Sequence, residues 1–205
     1  MDMKEIFNDV IKKLKELESD FQENKGIILT EYDLQCLLFH KLYTLFEHNK
    51  ETFDSHIKGS PLHTEIKFFN ENRKLFYRPD ITIIEPQNYS IIHSIAEVTI
   101  KNDGTIQNKK TPSKGFEFGG NSIVIELKFF RGKNGITGIE NIKSDFEKIE
   151  KIKSLVERNG QNKVYGIVAV FNKTDKGKRK CIEYIESIDA ESDIVVKYYT
   201  GKFEN

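Results

Sequence analysis

Residues 121–130 read NSIVIELKFF, and in that apolar run Glu126 and Lys128 stand two residues apart. Alternate side chains of a strand share a face, so the two charges point one way while Ile125, Leu127 and Phe129 point the other. Burying such ions without partners costs several kcal/mol each, so something must compensate. An ion pair on an exposed sheet edge is one answer. A second carboxylate opens another, because YRPDITII sets Asp80 directly after Pro79 and ahead of Ile81, Ile83 and Ile84. Taken alone, the Pro-Asp pair reads as a kink carrying an exposed acid. If the two strands are neighbours, however, Asp80 and Glu126 supply oxygen ligands for a hard divalent cation such as Mg²⁺, which prefers carboxylates and retained waters. The cation would in turn offset the buried negative charge.

Several elements must position these residues. Ile6, Phe7, Val10, Ile11, Leu14, Leu17 and Phe21 recur at helical spacing over residues 3–21, and ENKG stops the pattern. Thr30, with Asp33 three residues on, caps a second helix that the stripe Leu34, Leu37, Leu38, Leu42 and Leu45 carries to about His48. Glu31 and Gln35 lie on the line of that stripe. HTEIKFFN and KLFYRPDITII flank the turn NENR as a hairpin. Pro86 to Gly120 reads as an insertion, with SIIHSIAEVTIK a strand or short helix and NKKTPSKGFEFGG a loop. After the strand at 121–130 comes a helix with Ile139, Ile142, Phe146, Ile149, Ile152 and Leu155 inward, then the buried strand KVYGIVAVF. A basic loop, a helix bearing Ile182, Ile185 and Ile188, and the strand DIVVKYY follow. The expected architecture is one α/β domain over 1–205, a mixed sheet flanked by helices, with an N-terminal helix in 1–25 and a C-terminal helix and strand in 172–205.

Asp80 followed by Glu126-Leu127-Lys128, in helix–strand–strand–strand–helix–strand order, resembles the PD-(D/E)XK nuclease superfamily. The likeness spans about residues 30–171, and the interval of 46 positions between Asp80 and Glu126 requires the insertion at 86–120. The resemblance implies a restriction-endonuclease-like αβββαβ core and a Mg²⁺-dependent nuclease, with Mn²⁺ as a substitute, hydrolysing phosphodiester bonds in DNA ahead of RNA. It implies that Asp80, Glu126 and the Leu127 carbonyl hold the metal and that Lys128 acts on the attacking water or on the phosphorane charge, its pKa depressed beside the cation. A glutamate from the second helix, here Glu31, would join the site. Lys148, on the helix after the signature strand, would contact phosphate, whereas Asp145 beside it reads as a solvated helix edge. Glu65 reads as one partner of a cross-strand pair with a lysine. Glu97, in AEVTIK, lacks a lysine two residues on and ranks below Glu126.

Two further readings stay open. One is a nuclease-like nucleic-acid-binding or assembly module that does not cut. The other is an unrelated α/β domain with ordinary ion pairs, which predicts Asp80 and Glu126 far apart.

The densest basic stretch, NKTDKGKRKC, reads as a loop offering Lys176, Lys178 and Arg179 to a polyanion, and FFRGKNG adds Arg131 and Lys133. With 32 basic and 32 acidic residues the chain has no net charge, so any such partner must be held by a local patch. Five histidines and two cysteines lack the spacing of a zinc site or a disulfide framework. No apolar run reaches the length of a membrane span, and the first residues read as an amphipathic helix rather than a secretion signal. A cytoplasmic protein without membrane partners is expected, and the first helix leaves a homodimer open.

Overall fold

The computed structural model describes residues 2–54, 56–72, 74–90, 96–100, 106–110, 117–132, 139–188 and 193–201, with 96–100 and 106–110 as backbone only. The first helix, α1 (Met3–Glu23), starts where the Asp2 carboxylate accepts from the Lys4 and Glu5 N–H groups, and it buries Val10, Leu14, Leu17 and Phe21. α2 (Glu31–Tyr43) starts on a reciprocal capping box between Thr30 and Asp33. It stops at Tyr43 rather than near His48. The His48 ring stacks on Tyr43 at 3.5 Å, and its Nε2 lies 2.6 Å from the Tyr43 carbonyl oxygen, so the imidazole donates to that terminal carbonyl. Leu45 falls outside the helix and is exposed.

The centre is a mixed sheet of five strands: β1 (Leu62–Thr64), β2 (Ile81–Ile84), β3 (Ser122–Phe130), β4 (Val164–Asn172) and β5 (Ile194–Thr200). Their order in space is their order in the chain. β1, β2 and β3 pair antiparallel, while β3, β4 and β5 pair parallel. The parallel steps need crossovers, supplied by α3 (Glu140–Val156) and α4 (Lys178–Glu186). Ile123, Ile125 and Leu127 pack against α1 and α2 on one face. Val124, Val168 and Val170 pack against Ile142, Ile149 and Ile152 of α3 and Cys181 of α4 on the other. β4 therefore has helices over both faces, and every residue from Gly166 to Asn172 is buried.

The expected hairpin is present but broken in two. β1 and β2 form its base, and Phe68–Phe69 pairs with Leu75–Tyr77 beyond it. Glu65 lies in the break with φ of 57°, a left-handed conformation that costs a non-glycine residue roughly 1–3 kcal/mol. Its carboxylate meets Arg78 at 2.8 Å rather than a lysine. The excursion between Pro86 and Gly120 pairs within itself, Tyr89–Ser90 with Glu117–Phe118 and Ala96–Ile100 with Ile106–Lys110. None of these strands joins the central sheet. Residues 91–95, 101–105 and 111–116 of the expected insertion lie outside the described residues. No helix among the described residues is long and apolar enough to cross a membrane.

Candidate active site

The register places the two carboxylates. β2 and β3 pair from Ser122↔Ile84 to Ile125↔Ile81, so the next pair in the series is Glu126 with Asp80, where β2 turns away after Pro79. Beyond that point β3 has lost a neighbour and its N–H groups on that side need acceptors. Asp80 Oδ2 takes the Leu127 N–H at 2.7 Å, and Glu31 Oε2 takes the Phe129 N–H at 3.2 Å. Two carboxylates thus continue the ladder in place of a strand. Because a strand residue directs its N–H and C=O to the same side, the Leu127 carbonyl faces this gap as well. Asp80 is itself fixed through its backbone, whose carbonyl accepts from Gln35 Nε2 at 2.7 Å and from the Glu65 N–H at 3.2 Å. Gln35, on the line of Glu31 along α2, is a positioning residue for Asp80.

Glu126 and Lys128 share the opposite face of the strand from Leu127 and look toward α3. Glu126 is only 1% exposed. A chain of alternating charge runs through this face. Glu31 lies 3.5 Å from Lys128, Lys128 3.0 Å from Asp145, Asp145 3.4 Å from Lys148, and Lys148 2.7 Å from Glu126. Glu126 Oε1 and Asp145 Oδ2 nonetheless lack a partner in hydrogen-bonding direction. The ammonium groups are near enough to act as charges but are poorly aimed as donors.

The Asp80–Leu127 bond and the register bring Asp80 beside Glu126, against the separation expected for an unrelated α/β domain, while Glu126 and Lys128 do form the ion pairs expected of one. Asp145 departs from the expected solvated edge, since it is 6% exposed and bridges both lysines. Its signal was present in the sequence: Asp145 follows Ile142 by three positions and precedes Ile149 by four, which puts it on the buried stripe. Lys148 reaches Glu126 rather than standing free on the surface.

Among the described residues, the carboxyls of Asp80, Glu126, Glu31 and Asp145 outnumber the two ammonium groups they meet, Lys128 and Lys148. Burial pushes the Asp80 carboxyl up, more than the Leu127 N–H and Lys128 pull it down. Glu126 is pushed up to about 8, first by burial and then by Asp80 and Asp145, with Lys148 offsetting part of the rise. Burial alone would lower the Lys128 ammonium, but Asp145, Glu31 and Asp80 together carry it upward. The depressed value expected beside a cation is thus not what the protein's own groups produce.

The basic residues are spread out. Arg131 donates to the Leu29 carbonyl at 3.0 Å beside the start of α2. Lys133 lies outside the described residues. Lys176 is exposed in the turn before α4. Lys178 and Arg179 open α4 itself rather than lying in a loop, and they face Asp175 at 3.8 Å and Glu183 at 2.7 Å. No family of proteins, no curated protein and no solved structure matches this chain.

Proposed function

We propose that the protein is a metal-dependent nuclease that hydrolyses phosphodiester bonds, in DNA ahead of RNA, on a restriction-endonuclease-like core. The observation that carries this reading is the meeting of Asp80 with Glu126 and Lys128 at the point where β2 leaves β3. The residues fit a divalent cation. The donors are hard oxygens, burial opposes the ionisation of both carboxyls so that a cation would favour their charged forms, and Glu126 carries a buried oxygen without a directed partner. Among the described residues, no group of three or more His, Cys, Asp or Glu is already arranged around a metal position. Two side chains, Asp80 and Glu126, and the Leu127 carbonyl would hold the ion. When bound, the ion polarises a phosphoryl oxygen and lowers the pKa of water.

The chain's own groups do the rest. Lys128, held between Asp145 and Glu31, presents a charged ammonium that orients the attacking water and stabilises negative charge gathering on the phosphoryl oxygens. Water oxygen bonds to phosphorus and gives up a proton to solvent, the bond from phosphorus to the opposite ester oxygen breaks, and that oxygen takes a proton from solvent. Glu31 ties α2 to β3 and sets the place of Lys128. A non-cutting nucleic-acid-binding or assembly module is the second reading, and the ion pairs from Glu31 to Glu126 favour it, because Lys148 and Lys128 already offset part of the acids' charge.

The test is cleavage of supercoiled plasmid, single-stranded DNA, branched DNA and RNA with Mg²⁺ or Mn²⁺, comparing wild type with Glu126→Ala and Lys128→Ala. Metal-dependent cutting lost in both variants is the expected result, with falls of at least 10²-fold. Wild type inert on every substrate, or variants that cut equally well, would transfer the assignment to the non-cutting module.

A further inference from the structure

A groove of about 330 Å³ opens beside the candidate site, between the outer hairpin and α3. Phe76, Tyr77 and Arg78 form one wall, and Ser144, Glu147, Lys148 and Lys151 form the other. The second wall is one stripe of α3, since these positions follow the i, i+3, i+4, i+7 series. Its inner end is the site, because Lys148 also touches Glu126 at 2.7 Å. Three cations and one acid line it. Lys151 is exposed and has no ion-pair partner among the described residues.

The aromatic wall is unusual in its direction. In the outer hairpin Phe68 and Tyr77 pair across the ribbon and are buried. The register shifts beyond that pair, Phe69 facing Leu75 with Phe76 as the extra residue, and Phe69 and Phe76 are 43% and 65% exposed. A lone exposed apolar residue needs no explanation, but here two phenylalanines of one hairpin are exposed and one of them forms the lip of a basic groove. A basic track with an open aromatic face is how single-stranded nucleic acid is held, the phosphates by charge and a base by stacking. A duplex keeps its bases stacked inside and offers Phe76 none without flipping one out.

We infer that the groove between Phe76 and α3 binds a single-stranded nucleic-acid segment, one base stacking on Phe76 and its phosphates running past Arg78, Lys151 and Lys148 toward Glu126. This deepens the nuclease reading and rests on it for the direction of the strand, but the binding itself is measurable without cleavage.

The test is fluorescence anisotropy in EDTA with labelled single-stranded DNA and RNA oligonucleotides and with a duplex of the same length. Wild type should bind at least one single strand more tightly than the duplex. Phe76→Ala should weaken that single strand about 10-fold and leave the duplex unchanged, while Phe76→Tyr restores binding. Lys151→Gln should reduce the salt slope for the single strand by about 0.7. No measurable single-strand binding by wild type, equal affinity for strand and duplex, or Phe76→Ala binding like wild type would each overturn the inference. The two proposals fail separately. Single-strand binding through Phe76 without cleavage under any metal leaves the groove standing and removes the nuclease, whereas cleavage indifferent to Phe76→Ala and Lys151→Gln does the reverse.

Discussion

At the scale of single residues the molecule is organised around one missing neighbour. When β2 turns away at Pro79, two β3 amides on that side lose their ladder partners, and Asp80 and Glu31 take them over. That geometry makes the carboxylates useful. They are pinned by backbone bonds rather than by long flexible side-chain pairs, so their positions depend little on salt. Asp145 has the complementary task of holding both lysines. Asp145→Asn keeps the shape and removes the charge, so if the proposed nuclease activity holds, cleavage should fall by about 10–100-fold with folding intact. Steady-state kinetics beside a thermal melt checks this, and a loss in kcat rather than KM marks a positioning role. Thr30→Ala removes the cap of α2 and should cost about 1 kcal/mol, measurable as a lower urea midpoint. It should also reduce cleavage, because Glu31 is the first residue of that helix.

Between residue and molecule, the unit that matters is β3–α3–β4–α4–β5. Its parallel strands and both crossovers form one face, and Gly166 of β4 sits where α3 and β5 come closest. A Cβ there would stand 2.5 Å from Ile149 Cγ2 and 2.9 Å from Ile194 Cγ2. Gly166→Ala should therefore destabilise by about 1–3 kcal/mol in a denaturant titration. At the start of β5, Asp193 joins Lys153 of α3 and Lys163 just before β4, each at 3.0 Å. Burial opposes its charge, but the hydrogen bonds from Lys153 and Lys163 prevail and hold its carboxyl below the ordinary value. A folded pKa below the unfolded one adds stability above the unfolded value near pH 4, and that stability is lost as pH falls through the folded value. Asp193→Asn should thus lower Tm by about 2 °C at neutral pH, and the gap should close in melts recorded at progressively lower pH.

For the whole molecule, the described strands of the excursion after β2 pair with one another and not with the central sheet. Ser90 and Glu117 are a cross-strand pair, so residues 91–116 leave and return at one place. Replacing 91–116 with a short glycine-containing turn should leave the far-ultraviolet circular dichroism of the central fold in place and, on the nuclease proposal, the metal dependence of cleavage too. Loss of cooperative unfolding in that variant would show that the excursion supports the core. Zero net charge has its consequence at this scale too. Without a general positive field, nucleic-acid binding should show a shallow salt slope of only a few charges, set by the groove cations.

Local chemistry was enough to read much of this. Helical spacing gives α1, α2 and α3, the Thr30–Asp33 pair gives the start of α2, and alternation puts Glu126 and Lys128 on one face, since each depends only on neighbours within a turn or a pleat. The end of α2 was not legible, because it is made by His48 reaching back to Tyr43. Nor was the depth of Asp145: its place on the stripe was written in the sequence, but an acid there is exposed unless cations meet it, and Lys128 comes from another element. The sequence by itself determined which residues carry charge and which way each element turns them. Only the tertiary structure decided that Asp80 continues the ladder opposite Glu126 across 46 positions, and that Phe76 stands over α3. The reason is physical: register and packing between distant segments are chosen by the burial of the whole sheet, and no local pattern contains that sum.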